Sequence, residues 1–173
     1  MDNVYLIGFM GTGKSTVASS LSKFLPFQVI EMDDTIERLE EKKISEIFES
    51  KGEEAFRTME TSLLKVLSSQ NNQIISCGGG IVLKEENIEL MKKTGTVCLL
   101  WASAKTVYNR LSEDTSRPLL QNKKSVEEIQ TMMNSREKYY RNAADITVDV
   151  DEMTPETVAS ELVKELALKG VLH

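Results

Sequence analysis

A chain of 173 residues with 40% hydrophobic content can bury one full core and is short for two domains, so a single domain spanning 1–173 is expected. Its formal net charge of −6 argues against a general nucleic-acid binder, whose footprint is a basic face. Two isolated cysteines, Cys77 and Cys98, and one histidine, His173, exclude Cys/His zinc sites and histidine catalysis and fit a reducing compartment. With no basic leader and no run approaching about twenty apolar residues, the expectation is a cytoplasmic protein with no membrane partner.

The first predicted element is an apolar strand at 4–9 that opens with Val4-Tyr5-Leu6-Ile7, and a helix-spaced series, Val17, Leu21, Phe24 and Leu25, follows. Between them Gly8-Phe9-Met10-Gly11-Thr12-Gly13-Lys14-Ser15 matches the phosphate-binding pattern GxxxxGK[ST] in the strand–turn–helix context it requires. Backbone N–H groups of Gly11, Thr12 and Gly13, with Lys14, Ser15 and Thr16 at the start of a helix, make a nest for phosphate. Lys14 can reach the outer phosphates of a nucleotide, and the Ser15 hydroxyl can ligate magnesium.

Further strands are expected at 27–32, 74–76, 96–101 and 146–150, with helices between them, which gives an α/β sandwich on a mostly parallel sheet. The second strand ends in Glu31-Met32-Asp33-Asp34. Alternation along an extended segment would put Glu31 and Asp33 on one side, where carboxylates can hold a metal shell and accept a proton, while helix capping by Asp33 or Asp34 is the simpler alternative. A helical insertion follows at 33–69, with Ser45 as an N-cap and a stop at Gly52. The third strand runs into Gly78-Gly79-Gly80, which calls for close approach of something flat or anionic, or else is a bare turn. The polar stretch 112–124 reads as a mobile lid or a plain surface loop. The last helix starts on Thr154 and Pro155 and carries Val158, Leu162 and Leu166 as a core stripe.

Only six of the 21 basic residues are arginines. In a chain that covers its surface with lysine, they are better candidates for forked recognition of carboxylate or phosphate. Arg57 in the insertion, Arg110 and Arg117 at and in the presumed lid, and Arg136 beyond it suit a substrate with phosphate at one end and a carboxylate at the other. Arg38 and Arg141 are read as surface residues.

With these motifs placed, the chain resembles shikimate kinase over essentially its whole length: GFMGTGKST, an acidic strand end followed by Ile36-Glu37, Gly52-Glu53-Glu54-Ala55-Phe56-Arg57 with Glu60, the triple glycine after Ile75-Ser76-Cys77, Arg117-Pro118-Leu119-Leu120, and Arg136 before Tyr139-Tyr140. The resemblance implies a P-loop nucleoside-monophosphate-kinase-like three-layer sandwich, a five-stranded parallel sheet in the order 2-3-1-4-5 with a substrate-binding insertion and a mobile lid. It implies transfer of the γ-phosphoryl group of ATP to the 3-hydroxyl of shikimate by a monomer using magnesium, a step toward aromatic amino acids. By similarity, Asp33 holds the ring hydroxyls and accepts the proton, and Arg57 and Arg136 clamp the carboxylate. Gly78, Gly79 and Gly80 pack against the ring, Lys14 and Arg117 offset charge on the transferring group, Arg110 lies near adenine, and Glu60 orients Arg57. Two departures stand out: Glu31, expected to act on the metal through a water, occupies a position where the family usually has aspartate, and no basic residue lies near Met153-Thr154-Pro155. A kinase for another hydroxylated acid, such as gluconate, or a silent nucleotide-binding protein are the competing readings.

Overall fold

The computed structural model describes residues 2–113 and 124–172. Five strands form one parallel sheet in the order β2-β3-β1-β4-β5. The central strand, β1 (Asn3–Ile7), is buried throughout. A strand covered on both faces must be apolar on both, which explains why Val4-Tyr5-Leu6-Ile7 is a continuous run. Edge strand β5 (Ile146–Asp149) instead buries Ile146 and Val148 and exposes Thr147 and Asp149. Between them lie β2 (Gln28–Glu31) at the opposite edge, β3 (Gln73–Ser76) and β4 (Gly95–Trp101).

Strand register determines what meets at the carboxyl ends of the sheet. Glu31 pairs with Ser76, Ser76 with Leu6, and Ile7 with Leu99. The exits of β1, β2 and β3 are therefore level, and the residues that follow them share one rim, where open α/β sheets bind ligands.

Helix α1 (Lys14–Leu21) starts directly after the glycine loop and packs on α7 (Pro155–Leu168). It is shorter than its apolar spacing predicts, and Phe24, beyond its end, is half exposed. In α7 the expected start is observed: the Thr154 hydroxyl accepts from the Thr157 N–H at 3.1 Å, Pro155 occupies the first turn, and Val158, Leu162 and Leu166 are buried.

The segment after β2 differs from the expectation in a way that matters. Helix α2 (Met32–Glu40) begins one residue past the strand, so Asp33 projects from a first helical turn rather than from an extended segment. Met32 is buried, and Leu39, on the same helix, is exposed. Helix α3 (Ile44–Ser68) is capped at Lys43, not Ser45. The Ile44 N–H donates to Glu37 Oε2 at 3.0 Å, a partner on α2 that local sequence does not reveal. Gly52 is not a stop. At φ 84° and ψ 169° it bends α3 and lets it resume, in a conformation that disfavours any side chain. Helices α4 (Glu85–Thr94), α5 (Ala104–Ser112) and α6 (Val126–Ala143) complete the layers, α5 packing on α6. Among the described residues, no helix is long and apolar enough to cross a membrane.

Candidate active site

A cleft of about 370 Å³ opens at the rim where β1, β2 and β3 end. Its walls include Gly11, Gly13, Lys14, Ser15 and Thr16 from the loop and α1, Glu31 and Asp33 from the β2–α2 junction, and Arg57 and Glu60 from α3. Gly78, Gly79 and Gly80 follow β3, and Arg110 and Arg136 come from α5 and α6. Thr12 is buried and borders an adjoining cavity of about 220 Å³, which Gly13, Thr16, Arg110, Met153 and Pro155 share. Arg117 and nearly all of the expected lid lie outside the described residues.

The loop owes its shape to backbone freedom. Gly13, the residue before α1, has φ 93°, a left-handed value that turns the chain directly into the helix. The Lys14 ammonium is buried and donates to the carbonyls of Gly8 at 2.8 Å and Phe9 at 3.1 Å, which draws the side chain back across the loop. Arg110 donates to the Gly11 carbonyl at 3.3 Å from the other side.

Beside the loop, the Ser15 hydroxyl donates to Glu31 Oε2 at 2.9 Å. Partial burial raises the Glu31 carboxyl above its usual range, opposed by the hydroxyls of Ser15 and Ser76. Hydroxyl and carboxylate are hard oxygen donors, and two protein oxygens are the complement magnesium takes when it retains waters and binds nucleotide phosphates. The residues present therefore fit that ion. Among the described residues there is no cluster of three or more His, Cys, Asp or Glu, so a metal held by protein alone is not available there.

The bend at Gly52 lets the second run of α3 carry Glu53, Arg57 and Glu60 at i, i+4 and i+7, on one face. Arg57 donates through Nη2 to Glu53 Oε1 and through Nη1 to Glu60 Oε1, both at 3.2 Å. Its guanidinium also lies 5.4 Å from the centre of the Phe56 ring. Glu60 is 1% exposed, and its Oε2 has no hydrogen-bond partner among the described residues. Burial pushes the Glu60 carboxyl up to about 7, against the attraction of Arg57 and with help from the nearby Asp33 charge.

This elevation has a measurable consequence. Folded Glu60 keeps its proton to about pH 7, whereas the unfolded chain releases it near 4.5. Its contribution to stability is thus complete below the lower value and declines as pH rises through that window, levelling off above it. Glu60→Gln cannot ionise, so urea denaturation should show the stability of the variant relative to wild type rising across this window, by up to a few kcal/mol, and then flattening. A difference independent of pH would mean that Glu60 is an ordinary carboxylate.

The triple glycine is explained partly by the protein itself. A Cβ on Gly78 would stand 2.8 Å from both Asp33 Oδ1 and Glu60 Oε2, and one on Gly80 would collide with the Arg57 guanidinium. The anionic neighbour expected of these glycines is, at Gly78, a pair of the chain's own carboxylates. Sequence reasoning missed Asp34, Glu37, Phe48 and Ser76, which also line the cleft. The Phe48 and Phe56 rings, 5.1 Å apart, form one wall. The cysteines are both free and buried, and burial holds their thiols protonated; Cys77 also lines the cleft.

A parallel 2-3-1-4-5 sheet, with a phosphate loop after its central strand and an acceptor cleft built from a helical insertion, defines a P-loop kinase of the nucleoside-monophosphate-kinase type. The family model for shikimate kinase matches residues 10–167, and the chain belongs to the shikimate kinase family. A shikimate kinase of Thermodesulfovibrio yellowstonii is 40% identical over 165 residues, 95% of each chain. The solved structure of shikimate kinase from Acinetobacter baumannii in complex with shikimate has a TM-score of 0.92 at 32% identity, covering 100% of this chain and 96% of that one. That of shikimate kinase from Aquifex aeolicus has a TM-score of 0.82 at 36% identity over 99% of each.

Proposed function

We propose that the cleft transfers the γ-phosphoryl group of ATP to the 3-hydroxyl of shikimate, with Asp33 as proton acceptor and Arg57 and Arg136 as the grip on the carboxylate. The observation that carries this reading is the gathering of one acid and two arginines, from α2, α3 and α6, in the same cleft as the phosphate loop. Two forked cations beside a carboxylate suit an acid that also offers a hydroxyl. The second cavity takes the adenine, between Arg110 on one side and Met153 and Pro155 on the other. Val150, Met153, Pro155 and Val158 give that cavity an apolar side.

In the reaction the shikimate oxygen attacks phosphorus, the bond to the β-phosphate oxygen breaks, and the hydroxyl proton passes to an Asp33 carboxylate oxygen. Lys14 and the loop N–H groups draw negative charge onto themselves as the phosphoryl group moves. Ser15 and Glu31 are the residues that would hold magnesium, and the ion would partly neutralise the charge of the phosphates. The family resemblance is the support for action as a monomer, and an ATP-consuming biosynthetic step belongs in the cytoplasm.

The test is ADP release, coupled to an indicator reaction, with shikimate, quinate and gluconate as acceptors. Turnover is expected with shikimate in large excess over the others. Preference for gluconate, or nucleotide binding without turnover of any of the three, would overturn the assignment.

A further inference from the structure

The Tyr140 hydroxyl lies where two parts of the acceptor half of the cleft meet. Tyr140 is fully buried on α6, and its hydroxyl donates to the Gly79 carbonyl. Arg136, one turn earlier on the same face of the helix, lines the cleft, and its charge bears on the same phenol. A phenol has one proton to give and lone pairs to accept with, so it can serve both neighbours at once. Burial pushes the Tyr140 phenol up to about 12, despite the nearby arginines, so the proton stays in place and the bond to Gly79 keeps its direction. The ring is held as well: Trp101, at the end of β4, meets it edge-on at 6.4 Å, and Arg141 covers Trp101 at 5.0 Å.

What this does to the glycines follows from peptide geometry. In a planar trans peptide the C=O of one residue and the N–H of the next point in opposite directions. Holding the Gly79 carbonyl toward Tyr140 therefore fixes where the Gly80 N–H points. A glycine run has little stiffness of its own, so the orientation must come from a partner.

We propose that Tyr140 is a positioning residue that couples Arg136 to the Gly79–Gly80 peptide, so that both meet the acceptor acid in one geometry. The inference rests on the acceptor reading of the cleft given above. Phenylalanine would fill the same space, leave the Gly79 carbonyl without its partner and remove the oxygen that faces Arg136's side of the helix, which makes the hydroxyl, and not the ring, the functional part.

Tyr140→Phe isolates that oxygen. The KM for shikimate is expected to rise about three- to tenfold, as for loss of one buried hydrogen bond, with kcat within about twofold of wild type and the KM for ATP unchanged. In a double-mutant cycle, Arg136→Lys should raise the shikimate KM less in the Tyr140→Phe background than in wild type, because the two act as a unit. Trp101, the one tryptophan, supplies a direct binding readout by fluorescence during a shikimate titration. A lowered melting temperature with an unchanged shikimate KM, or strict additivity with Arg136→Lys, would reduce Tyr140 to a packing residue. When wild type turns over shikimate and Arg136→Lys raises its KM, such a result overturns the coupling alone, whereas a wild type inactive on shikimate overturns both readings.

Discussion

Asp33→Asn should lower kcat by about 10² to 10⁴ while leaving the fold and ATP affinity in place. The substitution keeps the size and most of the hydrogen bonding of the side chain and removes its ability to take a proton. Asp33 stands on the first turn of α2, and Gly78 lies so close that a Cβ there would be 2.8 Å from its carboxylate. The acid therefore occupies the space that a side chain at position 78 would need, against the β3 exit, and an amide of equal size fits it. Ser15 and the glycine loop lie on other elements, so nucleotide affinity measured by isothermal titration should match wild type. The loss should appear in kcat and kcat/KM alike, the signature of an interaction made in the transition state. Turnover near the wild-type rate would remove Asp33 from the chemistry and leave it only as an acid in the first turn of α2, where the helix dipole favours negative charge.

That first-turn position, where the sequence also allowed a cap, illustrates which features the sequence made legible. The phosphate loop, the parallel sheet and the start of α7 are written in local patterns, since glycines, Lys14 and a Thr154-Pro155 start act within a few residues of themselves. The strand order came only with the resemblance to a family, because register is a long-range property. Glu31 and Asp33 were placed on one side by strand alternation, and they do share the cleft, but a helix that begins at Met32 puts them there. Lys43 rather than Ser45 caps α3 because Glu37, from α2, supplies the acceptor. Gly52 carries a positive φ that a sequence cannot display, and it turns an expected stop into a bend that aims Arg57 and Glu60 inward. Tyr140 gave no signal beyond its place after Arg136, since its partner Gly79 is far away in the chain.

Gly80→Ala should act as a remote deletion of Arg57. The backbone at Gly80, with φ −100° and ψ 8°, is open to alanine, so the added methyl causes no conformational strain of its own. It would occupy the space of the Arg57 guanidinium, which Glu53 and Glu60 hold by hydrogen bonds at 3.2 Å. One of these must give way. The methyl is covalently fixed, whereas each hydrogen bond to a charged group contributes about 1.5–3 kcal/mol, so the arginine is the part that moves. Displacing it removes one arm of the carboxylate grip, and the shikimate KM should rise about 10- to 100-fold with little change in the KM for ATP. Arg57→Lys, which keeps the charge and loses the planar fork, should shift the same constant in the same direction. Because both changes act through one guanidinium, Gly80→Ala added to Arg57→Lys should cost far less than it does alone. Equal effects of Gly80→Ala on the shikimate and ATP constants would show instead that the glycine run serves the phosphate loop and that Arg57 does not bind the acid.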